Sequence, residues 1–485
     1  MSRVPDENRF SDGPRLPRRA LLRSGALAVT GVAGAGCLAT STDGDTDATD
    51  ADDFPEPTYG DPDREYRLTA TVGEIDVGGG QTVETWLYNG RYPGPEIRAV
   101  EGDRVRVTVE NGLPESTSVH WHGMALDGEN AMDGVPGVTQ PPIEPDEEFV
   151  YEFDVGPIGT HWYHSHSGLQ LDRGLLGPLV VEEAEPHVAF DREHTVVIDD
   201  HLAGEPHVTQ SGGPGHMGGG FADGPASDGT LLDGRLPADP VVLDAEPGER
   251  VRLRFINAAG STTYRVSVAE RSMQVTHTDG PAVEPVVVDA VDIGMGERYD
   301  CIVEITAEGP FAVRAQPLDG STPAGRALLG HPSPDGEPVD GGSSDGTAGS
   351  RALRLSDLRS VTPQPGLDGS PDRTVDLTLS AGTDADGDPA WTINGQSFPD
   401  ADPLPIQEGE HVRVRITNRS PVRHPMHLHG HHFTVGDAVK DTVTVPGHMG
   451  RRTLDLVADN PGRWVFHCHH LYHMETGMIR VLTYD

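Results

Sequence analysis

The sequence predicts an all-β chain built as three consecutive β-sandwich domains. Three observations point there. Gly 60 and Pro 41, with few long apolar runs of helical period, favour short strands joined by turns. A length of 485 residues exceeds one hydrophobic core and suits about three domains. One pattern is also written three times, as "YNGRYPGPEIRAVEGDRVRVTVEN" (88–111), "LDGRLPADPVVLDAEPGERVRLRFIN" (232–257) and "INGQSFPDADPLPIQEGEHVRVRITN" (393–418). Each copy ends on a strand that alternates apolar and polar residues, with apolar sets Val105/Val107/Val109, Val251/Leu253/Phe255 and Val412/Val414/Ile416. Period-two alternation buries one face of a strand and solvates the other. A second repeated element closes each unit: "GTHWYHSH" (159–166), "GPFAVRAQ" (309–316) and "GRWVFHCH" (462–469). The domains are therefore placed at 54–185, 186–320 and 373–485, with 321–372 as a linker.

The first 53 residues read as an address and a tether. Arg18 and Arg19 precede a weakly apolar stretch too short to span a bilayer, and the segment resembles a twin-arginine export signal. "AGC" at 35–37 looks like a lipobox, which would make Cys37 a lipidated first residue; the alternative is cleavage without lipid. "TSTDGDTDATDADD" (40–53) is too polar to pack and reads as a tether. The expected location is extracellular, lipid-anchored at the cell surface or released.

Formal charge is −41, from 77 acidic and 36 basic residues, which excludes nucleic acid as a partner. Lys440 is the only lysine; every other basic residue is arginine. Such acidic, lysine-poor composition resembles proteins of salt-loving archaea, whose hydrated acidic surfaces keep them soluble in concentrated salt. Three cysteines, Cys37, Cys301 and Cys468, exclude a disulfide framework. Cys301, in "RYDCIVEI", sits on an apolar strand pattern and is expected to be a buried core thiol.

The histidines distinguish the copies. Domain one follows its alternating strand with "HWHG" (120–123) and domain three with "HPMHLHGHH" (424–432), whereas domain two has "AAGSTTYRV". The closing strands carry His164-Ser165-His166 and His467-Cys468-His469, against Arg314-Ala315-Gln316 in the middle copy. Chance would give about one His-x-His pair among 23 histidines, yet four occur in repeat-equivalent places. A metal site shared between domains one and three explains the pattern. On a strand, residues i and i+2 project from one face about 6.5–7 Å apart. His467 and His469 therefore point together, and Cys468 points the other way. The cysteine side collects His424, His473 and Met478: two imidazoles, a thiolate and a weak axial thioether, the ligand set of an electron-transfer copper. His470 and Met474 are left over and read as packing or surface residues.

These motifs resemble the multicopper oxidases, specifically three-domain laccase-like enzymes built from cupredoxin-like Greek-key β-sandwiches, and the resemblance covers nearly the whole chain after the leader. It implies four copper ions. His424, Cys468, His473 and Met478 would hold the type 1 copper, and His120 and His427 the type 2 copper. His122, His164 and His469 would hold one type 3 copper, and His166, His429 and His467 the other. Electrons taken one at a time would pass through Cys468 to its neighbours His467 and His469, and O2 would be reduced to two waters. Asp133, in "AMDGVPGVTQPPI", resembles the family's proton-delivering acid; it also suits a turn before Gly134. Many bacterial members carry an acid directly after the type 1 histidine; here that position is Met474, and the role of Glu475 stays open.

The resemblance implies an oxidase of phenols and arylamines, with O2 and small aromatic reductants as partners. A metallo-oxidase acting on Cu(I) is the alternative within the fold, and a non-catalytic copper carrier or store the alternative outside it. The ten methionines are scattered; "GHM" at 215–217 and 447–449 are weak candidates for transient copper contacts, and flexible glycine-rich loops account for them better. A monomer is expected, because three domains close the cluster within one chain.

Overall fold

The computed structural model describes residues 54–211, 221–320, 322–331 and 351–485. The twin-arginine segment, Cys37, the tether and the first "GHM" lie outside them. No helix among the described residues is long and apolar enough to cross a membrane.

Three sandwiches follow one another. In the first, the strands Gln81–Tyr88, Arg64–Gly78, Arg104–Gly112 and Glu148–Asp154 form one sheet; Ile97–Val100, Leu176–Glu182, Gly159–His164 and His120–His122 form the other. The second and third each pair a six-stranded with a five-stranded sheet. The repeat unit is the same in all three. The alternating strand lies parallel to the first strand of its domain, with Leu68 opposite Val109, Val197 opposite Ile256 and Leu377 opposite Ile416. The Asn-Gly or Asp-Gly pair that opens each copy has both residues at positive φ: Asn89 and Gly90, Asp233 and Gly234, Asn394 and Gly395. That is the two-residue hairpin turn whose twist matches its strands.

The asparagine that ends each alternating strand is buried in every copy. Asn111 Nδ2 donates to the carbonyls of Glu115 (2.9 Å) and Ile143 (2.8 Å). Asn257 Nδ2 donates to Thr262 (3.0 Å) and Ile293 (2.9 Å), and Asn418 Nδ2 to Val422 (2.7 Å) and Pro446 (3.1 Å). A corner so pinned sends the chain across to the second sheet, where the outer copies begin their histidine strands and the middle copy the strand Tyr264–Val268.

The linker expected at 321–372 needs correction at its start. Gly325–Leu329 is a strand, antiparallel to Phe311–Pro317 and adjoining Val242–Leu243, so the second sandwich runs past residue 320. Its five residues alternate too briefly to stand out from a turn-rich stretch. Cys301 is fully buried in the second domain's core, as expected.

Candidate metal centre

The ligand strands are buried on both faces, for different reasons. His120–His122 pairs with Gly159–His164, placing His120 opposite His164 and His122 opposite Trp162. Trp121 and Tyr163 join their own domain's core, which leaves the histidines facing away from it. In the third domain His427 sits opposite His467 and Met426 opposite Cys468. Trp464, Phe466 and Cys468 join the local core, while His467 and His469 turn to the first domain's histidines. The opposed directions read from the alternation are those observed.

On the inward side, Cys468 Sγ lies 3.5 Å from His424 Nδ1 and 3.7 Å from His473 Nδ1, and the two nitrogens are 3.1 Å apart. Ser420 Oγ holds the far nitrogen of His424 at 2.8 Å. Burial pushes the Cys468 thiol up and His424 down to about 3. A thiol in this setting ionises only against a bound cation. Met478 is fully buried; its N–H donates to the His473 carbonyl (2.9 Å) and its carbonyl accepts from Cys468 N–H (3.1 Å). A short helix, Leu471–Glu475, makes the turn between them. His470 is buried and stacked on His473 at 3.6 Å between ring centroids, so of the two readings it is packing and not a surface residue. Met474 is buried as packing, and Glu475 is exposed at the end of the helix.

On the outward side eight histidines converge, all buried. His429 Nε2 and His467 Nε2 are 3.0 Å apart, with His166 completing a threefold group. His122, His164 and His469 have ring centroids 4.9–5.9 Å from one another. His120 and His427 lie between, at 5.8 Å.

The outer ring nitrogens are tied down. His120 Nδ1 donates to the Asp133 carbonyl (2.8 Å), His164 Nδ1 to Ser165 (2.9 Å), His427 Nδ1 to Asp441 (3.0 Å) and His467 Nδ1 to Cys468 (2.9 Å). His429 Nδ1 donates to the Asp133 carboxylate at 3.0 Å, and His122 Nε2 faces Asp441 Oδ1 at 3.3 Å. The inner nitrogens, His120 Nε2, His122 Nδ1, His164 Nε2, His166 Nε2, His427 Nε2 and His469 Nε2, have no partner among the described residues. Leaving a buried polar atom unpaired costs about 1–3 kcal/mol. Six such atoms turned toward one interior fit metal ions, which take the lone pair of a neutral imidazole. Burial, then the neighbouring rings, holds His164, His429, His467 and His469 well below the usual histidine range, so each keeps a lone pair free.

Asp133 is fully buried at the end of the one-turn helix Asn130–Met132, and burial raises its carboxyl. Gly134 follows at φ +81°, and a Cβ there would run into the Val119 carbonyl. That close approach brings Asp133 beneath His120.

Sequence reasoning missed Asp441. It is fully buried between His122 and His427, and Arg298 grips it with two bonds of 2.7 and 2.6 Å. Its one sequence signal is its place directly after the chain's single lysine.

Three multicopper oxidase family models match the chain, over residues 69–186, 191–329 and 368–485. The multicopper oxidase MmcO of Mycobacterium tuberculosis is 37% identical over 98% of this chain and 97% of its own. A copper resistance protein A homolog of Pseudomonas syringae is 30% identical, covering 87% of this chain and 93% of its own. Among solved structures, the laccase of Botrytis aclada superposes with a TM-score of 0.75 at 26% identity, covering 87% of this chain and 88% of that one. The chain belongs to the multicopper oxidases, copper-binding oxidoreductases that use oxygen as electron acceptor.

Proposed function

We propose that the protein is a laccase-type oxidase that takes single electrons from phenols or arylamines. The same reading gives His424, Cys468, His473 and Met478 the type 1 copper and His120 and His427 the type 2 copper. His122, His164 and His469 take one type 3 ion, and His166, His429 and His467 the other. The partnerless inner nitrogens of His120, His122, His164, His166, His427 and His469 carry this reading on the oxygen side, and on the donor side Cys468 Sγ and the Nδ1 atoms of His424 and His473 converge to 3.1–3.7 Å. Four bound coppers would supply one-electron oxidation at the first site and four-electron reduction of O2 to water at the other three. The chain's own part is arrangement. Cys468 is covalently next to both His467 and His469, so two peptide units join the donor side to the oxygen side. Asp133 holds two ligand rings and is the acid best placed to deliver protons.

The donor side supports an organic reductant. His470 stacks on His473 at 3.6 Å and Trp391 packs tilted against it at 4.3 Å, and among the described residues Met474 is the one further thioether in that short turn. A second reading, oxidation of Cu(I), draws support from an acidic rim. Asp223 faces His470 Nε2 at 3.4 Å, while Asp172 accepts from Tyr472 Oη. Burial beside Asp200 pushes Asp172 up to about 7. Oxygen uptake with a phenol and with Cu(I), measured side by side in molar salt, separates the readings. A phenol rate at least tenfold above the Cu(I) rate is expected, and the reverse ratio gives the chain to copper detoxification. The acidic composition suits a salt-loving source. The arginine pair and Cys37 suit export by the twin-arginine route and a lipid anchor, which mass spectrometry of the mature N-terminus would test.

A further inference from the structure

The middle domain holds none of the proposed ligands, yet its loop Gly294–Arg298 lies against the cluster. Gly296 has φ +81°, and a Cβ there would stand 2.8 Å from His469 Cδ2 and 3.0 Å from His122 Cε1. The loop is anchored by the corner asparagine of its own domain: Gly296 N–H donates to the Asn257 carbonyl at 2.8 Å. Arg298, fully buried, reaches into all three domains. Its Nε donates to the Thr160 carbonyl (3.0 Å), its Nη1 to Gly296 (3.1 Å), and its fork to both oxygens of Asp441. Asp441 then meets His122 Nε2 through its carboxylate and His427 Nδ1 through its carbonyl.

Lys440 closes the arrangement from the other side. It is fully buried; Nζ lies 2.9 Å from Asp279 Oδ2, 2.7 Å from Thr278 Oγ1 and 3.4 Å from Glu297 Oε1. Three acceptors around an ammonium with three hydrogens suit lysine and not the planar fork of arginine. That accounts for one lysine persisting in a chain whose other cationic side chains are all arginine. Asp279 also accepts from the backbone N–H of Arg298 (2.9 Å) and of Thr442 (3.2 Å), so it ties the loop to the Asp441 hairpin.

We infer that the copper-free domain is the positioning element of the oxygen-reducing cluster: Arg298, with Lys440 as latch, sets Asp441 so that His122 presents Nδ1 and His427 presents Nε2. This rests on the ligand assignment proposed above. A plain interdomain brace would be a different thing. Arg252 provides the comparison, since it is buried in a network with Asp300 (2.6 Å) and Glu183 (2.8 Å) that touches no ligand ring.

The test uses the full-length copper-loaded protein, with Arg298→Lys, Arg298→Gln and Arg252→Lys compared for copper per chain, retention against a chelator, the spin-resonance signal of the type 2 ion, and thermal midpoint. Copper in the Arg298 variants should be held 10–100-fold more weakly, with a shifted type 2 signal and an unchanged type 1 absorption band. Arg298→Lys, which keeps the charge, should recover part of the loss, and Arg252→Lys should lower only the midpoint. If Arg298 variants lose midpoint as Arg252→Lys does but keep copper and an unshifted signal, the inference is overturned. Should neither Arg298 variant fold, Asp441→Asn, of unchanged shape, must show the same weakened copper or the inference falls. Wild-type protein holding one copper and no type 2 signal would overturn the ligand assignment, and this inference with it, before any variant is compared.

Discussion

Asp133 does two things at one carboxyl, and substitution can separate them. It orients His429 through a carboxylate hydrogen bond at 3.0 Å, and it is a buried acid beside the cluster. Asp133→Asn keeps an acceptor for His429 but cannot carry a proton. Copper content should hold while oxygen uptake falls about 100-fold or more. Asp133→Ala removes the acceptor too, and copper should then be held about 10–100-fold more weakly. Equal copper loss in both variants would reduce Asp133 to a ligand support. Its place was legible because it stands in a short motif just after "HWHG". Asp441 was not, since the ring its carboxylate meets lies 319 positions away and the arginine that grips it belongs to another domain; His427, which its carbonyl meets, lies close in sequence but carries no mark of that contact. The i, i+2 rule told which way each histidine points; the free nitrogen depended on carbonyls that only the fold brings up.

At the scale of the element, the corner asparagine is the device repeated most faithfully. Asn111, Asn257 and Asn418 each spend both side-chain ends on backbone groups next to the crossing segment. Removing one leaves buried carbonyls and an N–H unpaired, at about 1–3 kcal/mol for each group. Asn257→Ala and Asn418→Ala should therefore lower the thermal midpoint similarly. Their copper should differ: Asn418 pins the turn before His424 and should weaken the type 1 absorption band, whereas Asn257 acts only through the Gly296 loop. An unchanged band in Asn418→Ala would show that His424 is placed by Ser420 and the strand alone. These asparagines stand in register three times in the sequence, but an asparagine after an alternating strand also suits an exposed turn, and only the fold brings the carbonyls that bury it. The helix Leu471–Glu475 was hidden for another reason: five residues fall short of any helical period, and it forms because Leu471, Tyr472 and Met474 bury against neighbouring domains.

At the scale of the whole molecule, the cluster couples folding to acidity. Without copper, burial and mutual repulsion hold His122, His164, His429, His467, His469 and His473 well below the ordinary value, and His166 and His424 at about 3. Unfolded, each titrates near 6.5. Above that pH both states are neutral and the rings contribute nothing to the pH dependence. As pH falls below about 6.5 the unfolded chain takes up protons that the folded chain refuses, so stability declines. One unit lower, each ring contributes about 1.4 kcal/mol to that decline, and eight rings together rival the 5–15 kcal/mol that holds a typical domain. With the ligands as proposed, bound copper would occupy the same lone pairs, and a proton would have to displace it first. The copper-free protein, kept in molar salt, should hold its thermal midpoint down to about pH 7 and lose it steeply between about 6.5 and 5. The copper-loaded protein should begin the same descent at least about one unit lower, with copper appearing in solution as it does. If the two forms descend together from neutral pH, surface carboxylates govern acid stability, and the buried histidines are not the reservoir their burial makes them.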